Sequence, residues 1–518
     1  MRTFSRRAVI GALLTSLVLV ALSAPASAQE IPDVYNRDFI PSAGDTGVSL
    51  NLLWIIVGAV LVIFMQAGFA LVETGFTRAK HAAHVVSTNF AIFGLGFIGF
   101  FFVGYAFMFG GWSYPGYFGY DQALGGALIG SGEWVFLWKG GFALTDIGNA
   151  AQAAPVVAMF LYMAAFMDTT ATIPTGSMAE RWKWKSFIWW GLFCGALYYP
   201  LFGAWTWGGG WLNQLGNSLD LGFGYVDFAG SGVVHAVGGA AALAGALVLG
   251  PRIGKFGKDG KPRAMPGHNV PMAMLGTFIL LFGWFGFNAA STFAATDVRF
   301  AMVAVNTAIA AAFGATVCMF YVMQRLGKPD PSMMANGMLA GLVAITAPCA
   351  FVEPWAAAVI GSIAGVLVVE AVLFIEKRGV DDPVGAIAVH GVNGTFGVLA
   401  VGLFSSGNYG AGWNLTATDV VGSDGVTGIF YDFELGIRQL GAQAVGVLVI
   451  WTVMLGIAYT FFKIQNSLTE GGIRSDHDDE LTGLDLPEMG VLAYPDDATG
   501  AHDGAATPTR AGSAVPVG

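Results

Sequence analysis

Charged side chains are scarce in this sequence: Asp, Glu, Lys and Arg make up 11% of 518 residues, whereas 55% are hydrophobic and the mean hydropathy is +0.64. That balance excludes an ordinary water-soluble domain, where about a quarter of residues are charged, and it assigns most of the chain to lipid. Basic residues are the scarcer sign, 24 against 34 acidic ones, and they fall in short clusters between apolar runs. With a net charge of -10 and no basic tract, a nucleic-acid partner is excluded. Cysteine is nearly absent: Cys194, Cys318 and Cys349 all lie in apolar runs without CxxC spacing, so they read as packing residues, with no disulfide framework and no metal site. No lysine lies deep in an apolar run, which argues against a retinal-type proton pump.

What is present is long apolar runs. The first opens with Arg2, Arg6 and Arg7, continues from Ala8 to Leu22 and ends on Ala26-Ser27-Ala28, the pattern of a cleaved signal peptide over 1–28. A short extracytoplasmic segment, 29–50, follows. At about 20 apolar residues per crossing, eleven transmembrane helices are expected over 51–75, 84–111, 154–178, 186–208, 228–250, 269–290, 300–323, 332–350, 355–376, 384–404 and 439–463. A chain that starts outside and crosses eleven times ends inside. The connections then assigned to the cytoplasm carry fourteen Lys and Arg residues, from Arg78 to Arg378, and those assigned outside carry three, Lys139, Arg299 and Arg438. This asymmetry is the positive-inside pattern, and it predicts a multi-pass protein of the cell membrane with its mature N-terminus outside and its C-terminus cytoplasmic. The Gly-, Tyr- and Trp-rich connections 112–153 and 405–437 are expected to cap the outer face. The acidic tail, 464–518, is expected to end in disorder.

Two spans echo each other. Val234-His235-Ala236-Val237-Gly238-Gly239 and Val389-His390-Gly391-Val392-Asn393-Gly394 share VHxVxG. Five spans separate the copies, so their helices run in opposite directions, as an inverted-topology repeat of five plus five helices requires. His235 lies eight residues after Asp227 and His390 eight after Asp382, each about 12 Å in from opposite faces. Both reach the midplane, where one ring N–H can donate to the bare nitrogen of the other. Ionisable residues at that depth normally mark a pathway, and such a pair titrates as a unit. The same topology gathers Trp207, Asp227, Phe287 and Ser291 near the outer side, with Phe166 deeper. Aromatic faces and a hydroxyl suit a small cation with N–H donors, of which ammonium is one.

Several strings resemble the ammonium transporter (Amt/Rh) family: Met178-Ala179-Glu180-Arg181, Trp207-Gly208-Gly209-Gly210, Asp227-Phe228-Ala229-Gly230 with Val233-Val234-His235, Gly283-Trp284-Phe285-Gly286-Phe287-Asn288-Ala289, and Asp381-Asp382-Pro383 with Val389-His390-Gly391. The resemblance spans roughly 51–494. It implies an all-α integral membrane fold of eleven helices, a 5+5 inverted repeat plus a final helix, assembled as a homotrimer with one pore per subunit. It implies a transporter rather than an enzyme, with no cofactor. By motif position, Phe166, Trp207 and Ser291 would recruit the ion; Tyr162 or Phe166 with Phe287 would form a gate; Asp227 would be the acidic residue; His235 and His390 would line the pore. The partners implied are ammonium or ammonia, membrane lipid and two further copies of the chain.

Captured ammonium would lose its proton near Asp227, neutral ammonia would pass the histidines, and the proton would cross separately, making transport electrogenic. Departures from the family pattern are Glu73 and Asp168, acidic where other residues are usual, and the long 112–153 insertion. The string from Glu480 to Tyr494 is similar to a regulatory segment that receives a PII-type signal protein at the cytoplasmic face, although Met489 replaces a common histidine. Two other readings are an ammonium sensor, for which the tail is too short to hold a signalling domain, and a haem-binding membrane electron-transfer protein with the histidines as axial ligands.

Overall fold

The computed structural model describes residues 46–495 apart from 116–117, 120–121, 149 and 417–424. The expected signal peptide, most of segment 29–50 and the last 23 residues of the tail lie outside the described residues. Eleven apolar helices account for most of the rest: α1 Thr46–Phe76, α2 Ala79–Phe109, α3 Ala153–Met178, α4 Trp184–Thr206, α5 Ser231–Leu249, α6 Val270–Thr292, α7 Arg299–Leu326, α8 Pro331–Thr346, α9 Pro354–Lys377, α10 Ile387–Phe404 and α11 Phe433–Leu468. Ten have the length and composition to cross a bilayer; α8, with 16 residues, is the short one.

Local chemistry explains the ends. Asp330 accepts from the N–H groups of Ser332 and Met333, and Pro331 follows it; Asn269 and Asp432 cap α6 and α11 in the same way. Such caps satisfy donors that have no partner within the helix, and proline is preset for the first turn. The expectation of a span reaching residue 350 fails at Pro348, which has no N–H to continue the ladder. The carbonyls left at the end of α8 are used elsewhere: Thr346 and Ala347 accept from Ala229 and Phe228 at 3.2 Å each. The short helix thereby holds the loop in front of α5.

One end of the bundle carries a β-hairpin, β1 Gly126–Ser131 against β2 Trp134–Lys139. It lies over the end of α4, where Trp211 N–H donates to Val135 O, Trp205 Nε1 donates to Phe136 O and the Trp134 and Trp211 rings stack at 6.2 Å. The other end carries the tail. There Ser475 N–H donates to Arg181 O, Lys183 N–H to Ile473 O, and Arg474 reaches the carbonyls of Leu249 and Pro251. Beneath the tail Arg252 bridges Glu180 (3.0 Å) and Asp381 (2.8 Å), and Arg78 pairs with Glu180 from the other side (2.5 Å).

The outward faces stay apolar, with Phe90 86% and Leu275 58% exposed. In water such faces would be unsatisfied, but against lipid tails they are at home. α2 begins five residues earlier than its hydropathy suggested, so His81 and His84 fall in its first turns, buried beneath the tail.

Candidate functional site

α5 and α10 enter the bundle from opposite ends, and each opens with a π-helical turn, Ser231–Ala236 and Ile387–Val392. Such turns widen a helix by one residue and often mark functional positions. Each is held by an aspartate eight residues before the histidine. Asp227 accepts from Gly230 (2.9 Å), Gly232 (2.8 Å) and Val233 (2.9 Å); Asp382 accepts from Ala386 (3.0 Å) and Ile387 (2.7 Å). Helix N-termini favour a negative charge, so both carboxylates fasten a helix start. Asp382 stands in the string Asp381-Asp382-Pro383, and its spacing to His390 repeats that of Asp227 to His235.

The two helices cross on glycine. A Cβ on Gly239 would lie 2.3 Å from the Cα of Gly391, and one on Gly394 would lie 2.8 Å from the nitrogen of Ala236. These contacts are related by the repeat: the fourth residue after each histidine presses on the residue just after the other. With no side chain between the backbones, His235 Nδ1 and His390 Nδ1 come to 3.1 Å. One must then carry the proton and the other accept it. His235 is fully buried, His390 is 5% exposed, and His235 Nε2 has no hydrogen-bond partner within the chain.

Aromatic rings continue the line of the pair. From the hairpin end, Trp207 meets Phe166 edge-on at 5.9 Å, Phe166 stacks on Phe287 at 4.0 Å, and Phe287 lies 5.4 Å from His235. Below the second imidazole, Phe69 lies 6.1 Å from His390. Trp284 flanks His235 at 5.2 Å with its Nε1 tied to Thr346. The Tyr162 ring lies against Phe166, and its hydroxyl bonds Ser291 Oγ and reaches the Gly286 and Phe287 carbonyls. Ser291 Oγ also donates to Phe287 O at 2.7 Å. Trp207 Nε1 donates to the backbone carbonyl of Asp227.

Trp207, Phe166, Phe287 and both histidines thus form one row, with Tyr162, Ser291 and Asp227 beside it. Of the two candidates for stacking with Phe287, Phe166 makes the stack, and Tyr162 ties to the backbone behind it. The arrangement can hold a small cation at its aromatic end, but its middle is apolar apart from the imidazole nitrogens.

The remaining departures from the family pattern take separate places. Asp168 is buried in α3 with one carboxylate oxygen unpartnered. Glu73, 3% exposed, lies on α1 one turn beyond Phe69 and accepts from Asn89 and Thr175. No group of three or more His, Cys, Asp or Glu side chains arranged to hold a metal occurs among the described residues.

Residues 53–494 match the profile of the Ammonium Transporter Family. The chain is 42% identical over 450 residues to the ammonium transporter Amt2 of Archaeoglobus fulgidus, covering 86% of this chain and 88% of that one. It is 35% identical over 463 residues to the ammonium transporter Amt1 of Haloferax mediterranei, covering 86% and 80%. Among solved structures it superimposes on a sensor Amt protein with a TM-score of 0.73 at 34% identity, over 86% of this chain and 99% of the other. The chain is a multi-pass, mostly helical membrane protein and belongs to the ammonium transporter family.

Proposed function

We propose that the protein carries ammonium nitrogen across the cell membrane by parting the ion from its proton at the outer face, passing ammonia along the histidine pair, and moving the proton separately. The observation that carries this reading is the Nδ1 to Nδ1 contact of 3.1 Å inside an otherwise apolar column. The hairpin end faces outward and the tail end inward, because the basic connections lie at the tail end.

Each residue then has a task. Trp207 and Phe166 offer ring faces to the cation, and Ser291 Oγ offers a lone pair. Phe166 and Phe287 close the column below. Asp227 fixes the start of α5 and the Trp207 ring, shaping the capture site without touching the ion. A charge at the bilayer centre costs about 2.5–3.5 kcal/mol even on insertion scales, so the column disfavours an intact cation and admits the neutral molecule. Potassium has no proton to give up and is refused. The shared hydrogen bond of the imidazoles gives the proton a route between them. The chain acts as a homotrimer, and segment 464–495, docked on the inner loops, is the surface where a PII-type signal protein would be received.

The test is the double variant H235A/H390A in proteoliposomes. Ammonium-evoked current should be lost or should cease to discriminate against potassium; unchanged current with unchanged selectivity would sink the reading. One structural relative is named a sensor, so a sensing role is separated by growth: cells lacking their own ammonium transporters should be rescued on low ammonium if this chain transports.

A further inference from the structure

A cavity opens on the inner side of the histidines, lined among others by His390, Phe69, Ile173, Val384 and Glu73. Glu73 is the one carboxylic acid on that lining. It lies buried in α1, and no lysine or arginine among the described residues pairs with it. A buried carboxylate without a counter-ion is costly, so a purely structural role is poorly served by Glu at this place.

Its neighbours form a polar cluster across three helices. Asn89 Nδ2 donates to Glu73 Oε2 at 2.6 Å. Gln66 Nε2 donates to Asn89 O at 2.6 Å and to Thr172 Oγ1 at 3.1 Å, and Thr172 Oγ1 donates to Asn89 Oδ1. Thr175 carries the decisive hydroxyl. Its oxygen lies 2.9 Å and 2.8 Å from the two carboxylate oxygens of Glu73 and 2.5 Å from the carbonyl of Thr172.

A hydroxyl has one hydrogen and two lone pairs. If the hydrogen points at Glu73, the site stabilises the anion. If it points at Thr172 O, the lone pairs face Glu73 and the site accepts a hydrogen from the neutral acid. Rotation about one bond therefore fits the cluster to either protonation state. Asp382 acts on Glu73 electrostatically from the start of α10, while its own carboxylate is engaged by Ala386 and Ile387.

The geometry points to Glu73 as the inner proton station of the transport path, with Thr175 as the positioning residue that adapts to its charge. Resting on the two-track reading above, the step balances simply. The proton released by ammonium outside leaves a ring nitrogen of His390 for a water in the cavity, that water gives a proton to a carboxylate oxygen of Glu73, and Glu73 later gives it to the cytoplasm or to the emerging ammonia.

The test uses full-length protein in proteoliposomes on a solid-supported membrane, pulsed with ammonium. E73Q should lower the current at least about tenfold, the scale on which loss of a proton-transfer group acts, while E73D retains most of it. T175V should lower the current several-fold and T175S should restore it. Current from E73Q within twofold of wild type, or equal losses in E73Q and E73D, would overturn the assignment, the second outcome marking a packing role. Should E73Q fail to insert, the Thr175 pair decides: equal currents from T175V and T175S overturn it. If wild-type protein carries no ammonium-evoked current, the transport reading itself falls; if it does and the variants match it, only the role of Glu73 falls.

Discussion

Glu180 shows how a motif residue acquires its meaning from distant chain. It closes α3 in the left-handed region at φ 69°, where a non-glycine side chain is uncommon, yet it is fully buried. Arg78 holds it through both its backbone N–H and its guanidinium, and Arg252 holds it at 3.0 Å. Burial alone would raise its pKa, but Arg252, His81 and Arg78 together hold it below the ordinary value. The string Met178-Ala179-Glu180-Arg181 was legible in the sequence, but its partners lie 72 and 102 residues away, and no local pattern announces a pairing at that separation.

Removing Glu180 leaves two guanidinium groups without their shared carboxylate. Breaking a buried pair from one side costs about 3–5 kcal/mol, so E180Q should lower the melting temperature in detergent clearly, and a value equal to wild type would refute the role. Asp381 adds a pH signature. Burial opposes its charge, but hydrogen bonds from Arg252 and the positive charges of Arg181 and Arg252 bring its pKa down to about 2. The folded value lies below an unfolded value of about 3.9, so its stabilisation is complete above roughly pH 4 and lost as pH falls through about 2. D381N should therefore melt below wild type at pH 6, and the gap should narrow as the pH falls below 4.

At the scale of the helix, the repeated VHxVxG string made the antiparallel histidine helices readable before any coordinates. Two things escaped. The aspartate eight residues ahead of each histidine was visible as a spacing, but only the paired N–H contacts reveal it as a helix anchor. The glycines were read as general close packing, whereas Gly239 meets the backbone of Gly391. A methyl group there has no flexible side chain to displace, so G239A should cost on the order of 1–3 kcal/mol and lower both folded yield and melting temperature. G94A, with nothing within 4 Å of the added carbon, should leave both unchanged. A G239A protein as stable as G94A would contradict the crossing.

Over the whole molecule, hydropathy located ten helices long enough to cross a bilayer, because each of those runs answers to its thickness, and it overran the shorter α8. It missed the docking of the tail, since the contacts made there are few, polar and remote in sequence. Glu480 is the hub: it accepts from Ile253 N–H (2.7 Å) and from Arg474 (2.8 Å), while Lys80 reaches its carbonyl. Asp485 accepts from His84 N–H, and Leu484 N–H donates to His81 Nδ1. Hydrogen exchange should find the amides of Ser475 and Leu484 protected in wild type and faster in E480A, with α5 and α10 unaffected. Equal protection in both proteins would place the hold on the tail elsewhere.

The glycine crossing has a further consequence. Where two helices meet through side chains, their spacing drifts as those side chains vary. Where α5 and α10 meet, the gauge is the thickness of two peptide backbones. The spacing of the two helices at their imidazole layer is thus a constant of the chain, while its chemistry, carried by the rings that project from that fixed frame, stays open to change.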